Sequence, residues 1–166
     1  NFWGRSMGWF VMALVDVLDY IPEDHADRPA LINMLTETLE ALLKVRDEAS
    51  GVFYQVLNLG HVKGNYLESS ASCMILYAIA KGVRKGYLPE HYRQEAEIIR
   101  KGIIDEFITI TEEGLVNLNK TVQVSGLGGK DRRDGTFAYY ISEPIVTNDP
   151  KGIGAFIQAM GEAERI

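Results

Sequence analysis

The helical recurrence of apolar residues constrains this chain more than any other feature. Phe10, Leu14, Val17 and Ile21 are spaced by 4, 3 and 4 residues, which puts them on one face of a helix of about 3.6 residues per turn. Val11, Met12, Ala13 and Leu18 add apolar groups on other sides, so this first helix is expected to be buried nearly all round. Pro22 stops it. Pro29 suits the first turn of a second helix, where its missing N–H costs nothing. Ile32, Leu35, Leu39 and Leu42 are that helix's stripe, Asn33, Glu37, Glu40 and Lys44 its wet side, and Gly51 ends the segment. A third helix is expected from about Glu68 to Lys85, with Gly86 as its C-terminal cap. Its Ala71, Ile75, Ala78 and Gly82 allow a neighbouring helix to come close. Pro89 opens a fourth, with Tyr92, Ala96, Ile99, Ile103 and Phe107 inward. The last begins after Asp149-Pro150, an N-cap followed by a proline at the first helical position. Its expected stripe is Ile153, Phe156, Ile157 and Met160.

The intervening segments carry little strand. Phe53–Gly60 reads as either a short strand or a loop, and Leu115–Leu118 with Thr121–Val124 predicts one small β-hairpin. From Ser125 to Asn148 no helical period is visible, and Gly126, Gly128, Gly129 and Gly135 punctuate the stretch. An irregular loop of this length in a compact protein is usually functional or partly mobile. Five helices in succession define an all-α class, and their broad apolar faces need a second layer. The helix pairs read as turns of a helical toroid or solenoid.

Charge and cysteine content exclude several classes. Lys plus Arg is 17 against 23 Asp plus Glu, a formal charge of −6, which argues against a nucleic-acid surface. No apolar run approaches the roughly 20 residues that cross a bilayer. The single cysteine, Cys73, cannot form an internal disulfide and lies among apolar residues, where packing is the expected role. The chain begins at Asn1 without a signal-peptide pattern and runs almost at once into a buried-type helix, so it reads as cut from a longer protein. His25, His61 and His91 lack the spacing of a metal-binding pair, and the glycines after Gln123 have no Lys-Ser/Thr of a phosphate loop. No metal or cofactor site is expected.

Two constellations carry chemistry. In the opening FWGRSMGW (2–9), Arg5 and Trp9 are four apart and share a helical face. An arginine fork binds carboxylate or vicinal hydroxyls, and an indole face stacks on a pyranose ring. The competing reading pairs Arg5 with an internal acid and puts Trp9 in the core. In Glu68-Ser69-Ser70-Ala71-Ser72, small polar residues at a helix start are read as either functional or simply capping.

FWGRSMGW (2–9), ESSASCMILYAIAKGVRKGYL (68–88), VQVSGLGG (122–129), RDGTFAYYISEP (133–144) and NDPKGIGAFIQAMGE (148–162) together resemble glycoside hydrolase family 105, the unsaturated rhamnogalacturonyl hydrolases and related unsaturated uronyl hydrolases. The resemblance runs in order from Phe2 nearly to the C-terminus. It implies an (α/α)6 barrel of which residues 1–166 are about the C-terminal half of a single domain, the N-terminal half being its partner. It implies a general acid/base aspartate upstream of Asn1, so that no catalytic residue falls in this chain and Asp16 and Asp19 sit at the wrong place in the motif order. Arg5 and Trp9 match substrate-binding positions. The implied reaction hydrates the C4–C5 double bond of unsaturated galacturonyl-rhamnose oligosaccharides of pectin. The alternatives are another unsaturated uronyl hydrolase, acting on glycosaminoglycan or ulvan fragments, or a non-catalytic toroid that binds glycan or protein. A cytoplasmic location is expected, with the periplasm as alternative. Alone, residues 1–166 are expected to be inactive and poorly soluble.

Overall fold

The computed structural model describes residues 1–130 and 133–166. Its longest elements are five helices: α1 (Gly4–Val17), α2 (Arg28–Leu43), α3 (Ser69–Arg84), α4 (Tyr92–Phe107) and α6 (Pro150–Ala163), with a short α5 (Phe137–Ser142) before the last. Four short strands complete them: β1 (Ile108–Ile110), β2 (Val116–Leu118), β3 (Thr121–Val122) and β4 (Ile145–Val146).

The centre is α3. Every residue of it except Arg84 is buried, and α1, α6 and α4 all pack against it, while α2 packs on α1. Cys73, Met74, Ile75, Leu76 and Ile79 of α3 are sealed from solvent and form the core with Val11, Val15, Leu35, Leu39, Ile99, Ile103 and Phe107. Each such side chain contributes roughly 1.5–3 kcal/mol when fully buried. Cys73 is therefore packed, and burial raises its thiol pKa far above the ordinary value.

Two expected stripes are displaced. On α1 the residues that meet α3 follow Gly4, Gly8, Val11 and Val15, whereas Phe10 is 41% exposed and Val17 40%. A Cβ on Gly4 would lie 3.0 Å from Ala71, and one on Gly8 2.8 Å from Met74. On α6 the inward line is Gly152, Ala155, Ala159 and Ala163, while Ile157 is 63% exposed and Ile153, Phe156 and Met160 are half-buried. In both helices the small residues let the backbone approach α3, and the larger apolar groups turn aside. Gly82 likewise serves a close approach, but from Leu88 in the chain leaving α3. A Cβ there would sit 2.6 Å from the Leu88 side chain. Both Tyr87 and Leu88 donate backbone N–H bonds to the Gly82 carbonyl, and Gly86 adopts the left-handed conformation (φ +71°) that closes the helix.

The single hairpin expected from 115–118 with 121–124 is corrected. β2 turns back on β1, with Ile108 opposite Leu118 and Ile110 opposite Val116. Gly114 (φ +83°) makes that turn, donating to the Thr111 carbonyl. β3 instead pairs antiparallel with β4, Thr121 opposite Val146. The Leu118 carbonyl and N–H, which a 118–121 hairpin turn would use, are both taken by Asn148. The Ser125–Asn148 stretch also holds more structure than expected. Thr136 caps α5 by accepting from the Tyr139 N–H at 3.2 Å, and six residues are too few to display a period. Asp131 and Arg132 of the 125–140 loop lie outside the described residues. Asn148 (φ +58°) donates its backbone N–H to the Leu118 carbonyl and accepts the Leu118 N–H on its side-chain Oδ1, tying the residue before the α6 cap to β2.

Candidate functional site

The N-termini of α1, α3 and α6 meet at one end of the molecule. α3 starts where Glu68, its N-cap, accepts the Ala71 N–H at 2.7 Å. The same carboxylate accepts the Val122 N–H at 3.0 Å and the Ser70 hydroxyl at 2.8 Å. Ser69 shares a 2.7 Å hydroxyl contact with Thr121, and a Cβ on Gly152 at the start of α6 would press on that same Thr121 side chain. Thr121 thus wedges α3 against α6. The capping reading of Glu68-Ser69-Ser70-Ala71-Ser72 is correct for Glu68, whose carboxylate also binds α1.

Arg5 stands in the first turn of α1 and is only 2% exposed. Its Nε donates to Ser70 Oγ at 2.8 Å, its Nη2 donates to the Val122 carbonyl, and its guanidinium lies 3.7 Å from the Glu68 carboxylate. A buried cation near a helix N-terminus is unfavourable without an opposing charge, and Glu68, itself fully buried, supplies it. The arginine therefore pairs with an internal acid. The other half of that competing reading does not apply, because Trp9 is 53% exposed and not core.

Arg5 and Trp9 share a hollow of about 600 Å³ with Trp3, Gln123, Ser125 and Lys151. Trp3 stacks on Tyr140 with ring centres 6.0 Å apart, and the Arg5 guanidinium lies 6.0 Å from the Trp3 ring centre. Gln55 braces the wall by donating to the Tyr140 carbonyl at 3.2 Å and to Ser125 at 3.3 Å. On the other side of Trp9 a second hollow, about 420 Å³, is bounded by Met12, Asp16, Met74, Lys151 and Gln158. Asp16, set aside as a catalytic candidate on motif order, accepts there from Tyr77 at 2.7 Å and from Lys81 at 2.5 Å.

Asp149 caps α6 by accepting the Lys151 N–H at 2.9 Å and pairs with the Lys151 ammonium at 2.9 Å. Burial opposes its ionisation, but the Lys151 bonds and the nearby Arg5 charge outweigh it and hold the carboxyl below its ordinary pKa. The hollow thus offers aromatic surfaces, fixed hydrogen-bond donors and paired charges. Sequence reasoning missed Trp3, Gln123, Ser125 and Lys151 as wall residues. The Asp-Pro-Lys at the start of α6 was legible as a cap, but only the fold shows that this cap faces Trp9. His25, His61 and His91 are all exposed. Among the described residues no three His, Cys, Asp or Glu side chains gather as a metal site requires, and no helix is long and apolar enough to cross a membrane.

Comparison with known proteins identifies the family. The family model for Glycosyl Hydrolase Family 88 matches residues 1–166. A C. acetobutylicum glycoside hydrolase from family 105 superposes with a TM-score of 0.98 at 59% identity, covering 100% of this chain and 46% of that one. Protein Atu3128 of Agrobacterium fabrum is 36% identical over 97% of this chain and 71% of its own length. An unsaturated 3S-rhamnoglycuronyl hydrolase of Alteromonas sp. is 25% identical over 70% of this chain and 27% of its own length. The chain belongs to Glycosyl Hydrolase Family 88, and its likeness to the C. acetobutylicum enzyme supports the family 105 assignment that its motifs suggest. It spans less than half of that solved structure.

Proposed function

We propose that this chain forms the Arg5–Trp9 side of the active site of an unsaturated glycuronyl hydrolase, within an (α/α)6 barrel that it shares with an N-terminal half. The observation that carries the reading is the exposed Trp9 face beside the buried Arg5–Glu68 pair, in a hollow where three helices begin. Helix N-termini favour negative charge, which suits a sugar acid. Trp9 stacks on the sugar ring, and Arg5, whose Nε and Nη2 are held by Ser70 and the Val122 carbonyl, has its Nη1 left to donate to a carboxylate or hydroxyl.

The substrate is a non-reducing-end uronyl group with a C4–C5 double bond, an enol ether. A carboxylic acid outside this chain protonates C4, and positive charge develops at C5, shared with the ring oxygen. The same group, now a carboxylate, takes a proton from water as the water oxygen bonds to C5. The resulting hemiketal opens and expels the remaining oligosaccharide. No attack at the anomeric carbon occurs, so the separation rule for paired carboxylates has no bearing. A galacturonyl-rhamnose linkage is the favoured substrate on the motif resemblance; the Alteromonas relative's name speaks of an unsaturated rhamnoglycuronyl substrate and leaves the uronic acid open. Residues 1–166 alone are inactive on this reading, because they lack the proton donor.

Loss of the double bond is followed by ultraviolet absorbance. In the intact native protein, Trp9→Ala should lower kcat/KM on an unsaturated galacturonyl-rhamnose disaccharide at least tenfold and Trp9→Phe much less, with Arg5→Lys also at least tenfold down. Unchanged kcat/KM in Trp9→Ala and Arg5→Lys would remove both residues from the site.

A further inference from the structure

The walls of the Trp9 hollow come from distant parts of the chain, and one fully buried side chain joins them. We infer that Gln55 is a positioning residue for the sugar site: it sets the Ser125 and Trp3 walls against the Arg5 end of α1, and so governs substrate affinity without itself touching the sugar. This rests on the reading of that hollow as a sugar site.

Gln55 lies in an extended strip held between two others. Its carbonyl accepts the N–H of Gly4, the residue before Arg5, at 2.8 Å, and its own N–H donates to the Tyr66 carbonyl at 2.8 Å. Trp3 pairs with Val56 in the same strip, and Tyr54 pairs with Leu67, next to Glu68. The backbone of Gln55 thus ties the start of α1 to the segment that enters α3. Its side chain adds a third tie. The Nε2 amino group donates to the Tyr140 carbonyl at 3.2 Å and to Ser125 Oγ at 3.3 Å. Ser125 borders the hollow, and so does Trp3, against which the Tyr140 ring stacks. Gln55 itself is sealed behind them.

The chemistry of this position calls for an amide. Tyr140 belongs to α5, a helix of 6 residues, too short to hold itself in water. In a longer helix the Tyr140 carbonyl would accept from the residue four positions on, but that residue is Pro144, which has no N–H. Gln55 supplies the donor from across the fold. A carboxylate of the same shape would turn lone pairs toward that carbonyl, and an apolar side chain would leave it without the bond. Either change frees α5, and with it the Trp3 and Ser125 walls, while Arg5 keeps its bond to Ser70 and its pairing with Glu68. Walls that hold a sugar alike before and during the reaction act on KM, whereas the proton donor of the proposed reaction lies outside this chain.

The test uses the intact native protein and an unsaturated galacturonyl-rhamnose disaccharide. Gln55→Met should raise KM about tenfold and Gln55→Glu further, with kcat per folded molecule within about threefold of the unmodified protein. Without ligand, amide hydrogen exchange should quicken across 137–142 and stay slow in the core of α3. An unchanged KM, with kcat falling only as the folded fraction falls, is the mark of a residue that merely stabilises and overturns the inference. Should neither Gln55 variant fold, Ser125→Ala decides, because it removes one acceptor of the amide and leaves the core intact. Quickened exchange across 137–142 in that variant supports the inference, and unchanged exchange overturns it. Failure of the unmodified protein to bind or hydrate the disaccharide would instead overturn the functional reading beneath it.

Discussion

The two ends of α3 solve the same problem with different materials. Each end ties α3 to its neighbours through charge. At the N-terminal end the ties are buried and short: Glu68, Ser69, Ser70 and Ser72 are fully sealed, and one carboxylate joins α3 to Arg5 of α1 and to β3. At the C-terminal end they run through long side chains to acids that keep solvent contact. Lys81 reaches Asp16 in the last turn of α1 at 2.5 Å and Asp19 just past that helix at 2.8 Å, and Arg84 reaches Glu162 of α6 at 2.5 Å. Compact polar groups leave room for a hollow in front of them, whereas long side chains fill their own space. That difference explains why the aromatic walls and the cleft belong to the first end.

The comparison predicts unequal costs. Glu68→Ala should be the most damaging single change, because it strands a buried guanidinium and leaves the Ala71 and Val122 N–H groups without their acceptor. We expect a loss of about 3–5 kcal/mol in the intact protein, measured by denaturant unfolding. An effect below that of a surface substitution would show that the pair is not structurally required.

Lys81→Met should cost less, roughly 1–3 kcal/mol near neutral pH, since its acidic partners keep solvent contact. The loss should also depend on pH. The hydrogen bond from Lys81 outweighs burial and, with Tyr87 and Lys85, holds the Asp19 carboxyl well below its ordinary 3.8. A depressed carboxyl contributes stability above the unfolded value and loses it as pH falls through the folded one. The gap between wild type and Lys81→Met should therefore narrow below about pH 3.8. A gap that stays constant through that range would mean that packing, not charge, is what Lys81 provides. Comparing melting curves of the two proteins across acid pH reads this directly.

Legibility in the sequence followed the same divide between large and small side chains. The long helices were evident from Leu35, Leu39, Ile99 and Ile103, whose period is unambiguous and whose burial is complete. The contact faces of α1 and α6 were not, because Gly4, Gly8, Ala155 and Ala159 carry little hydrophobic signal and matter by letting backbones approach. Short elements such as α5, and pairings such as β3 with β4, depend on contacts between distant segments and leave little local signal. At the site, the Arg5–Trp9 spacing was visible, since both lie on one helix. The Arg5–Glu68 partnership joins positions 63 apart in the chain and emerges only when α1 and α3 are packed. Lys151 was hidden for the same reason.

The most direct test is a structure of the intact native protein with an unsaturated galacturonyl-rhamnose disaccharide bound, its proton donor disabled. The sugar acid ring should lie flat on the Trp9 face, with its carboxylate or hydroxyls within hydrogen-bond distance of Arg5. A disaccharide seated elsewhere, with the Trp9 hollow unfilled, would contradict the account.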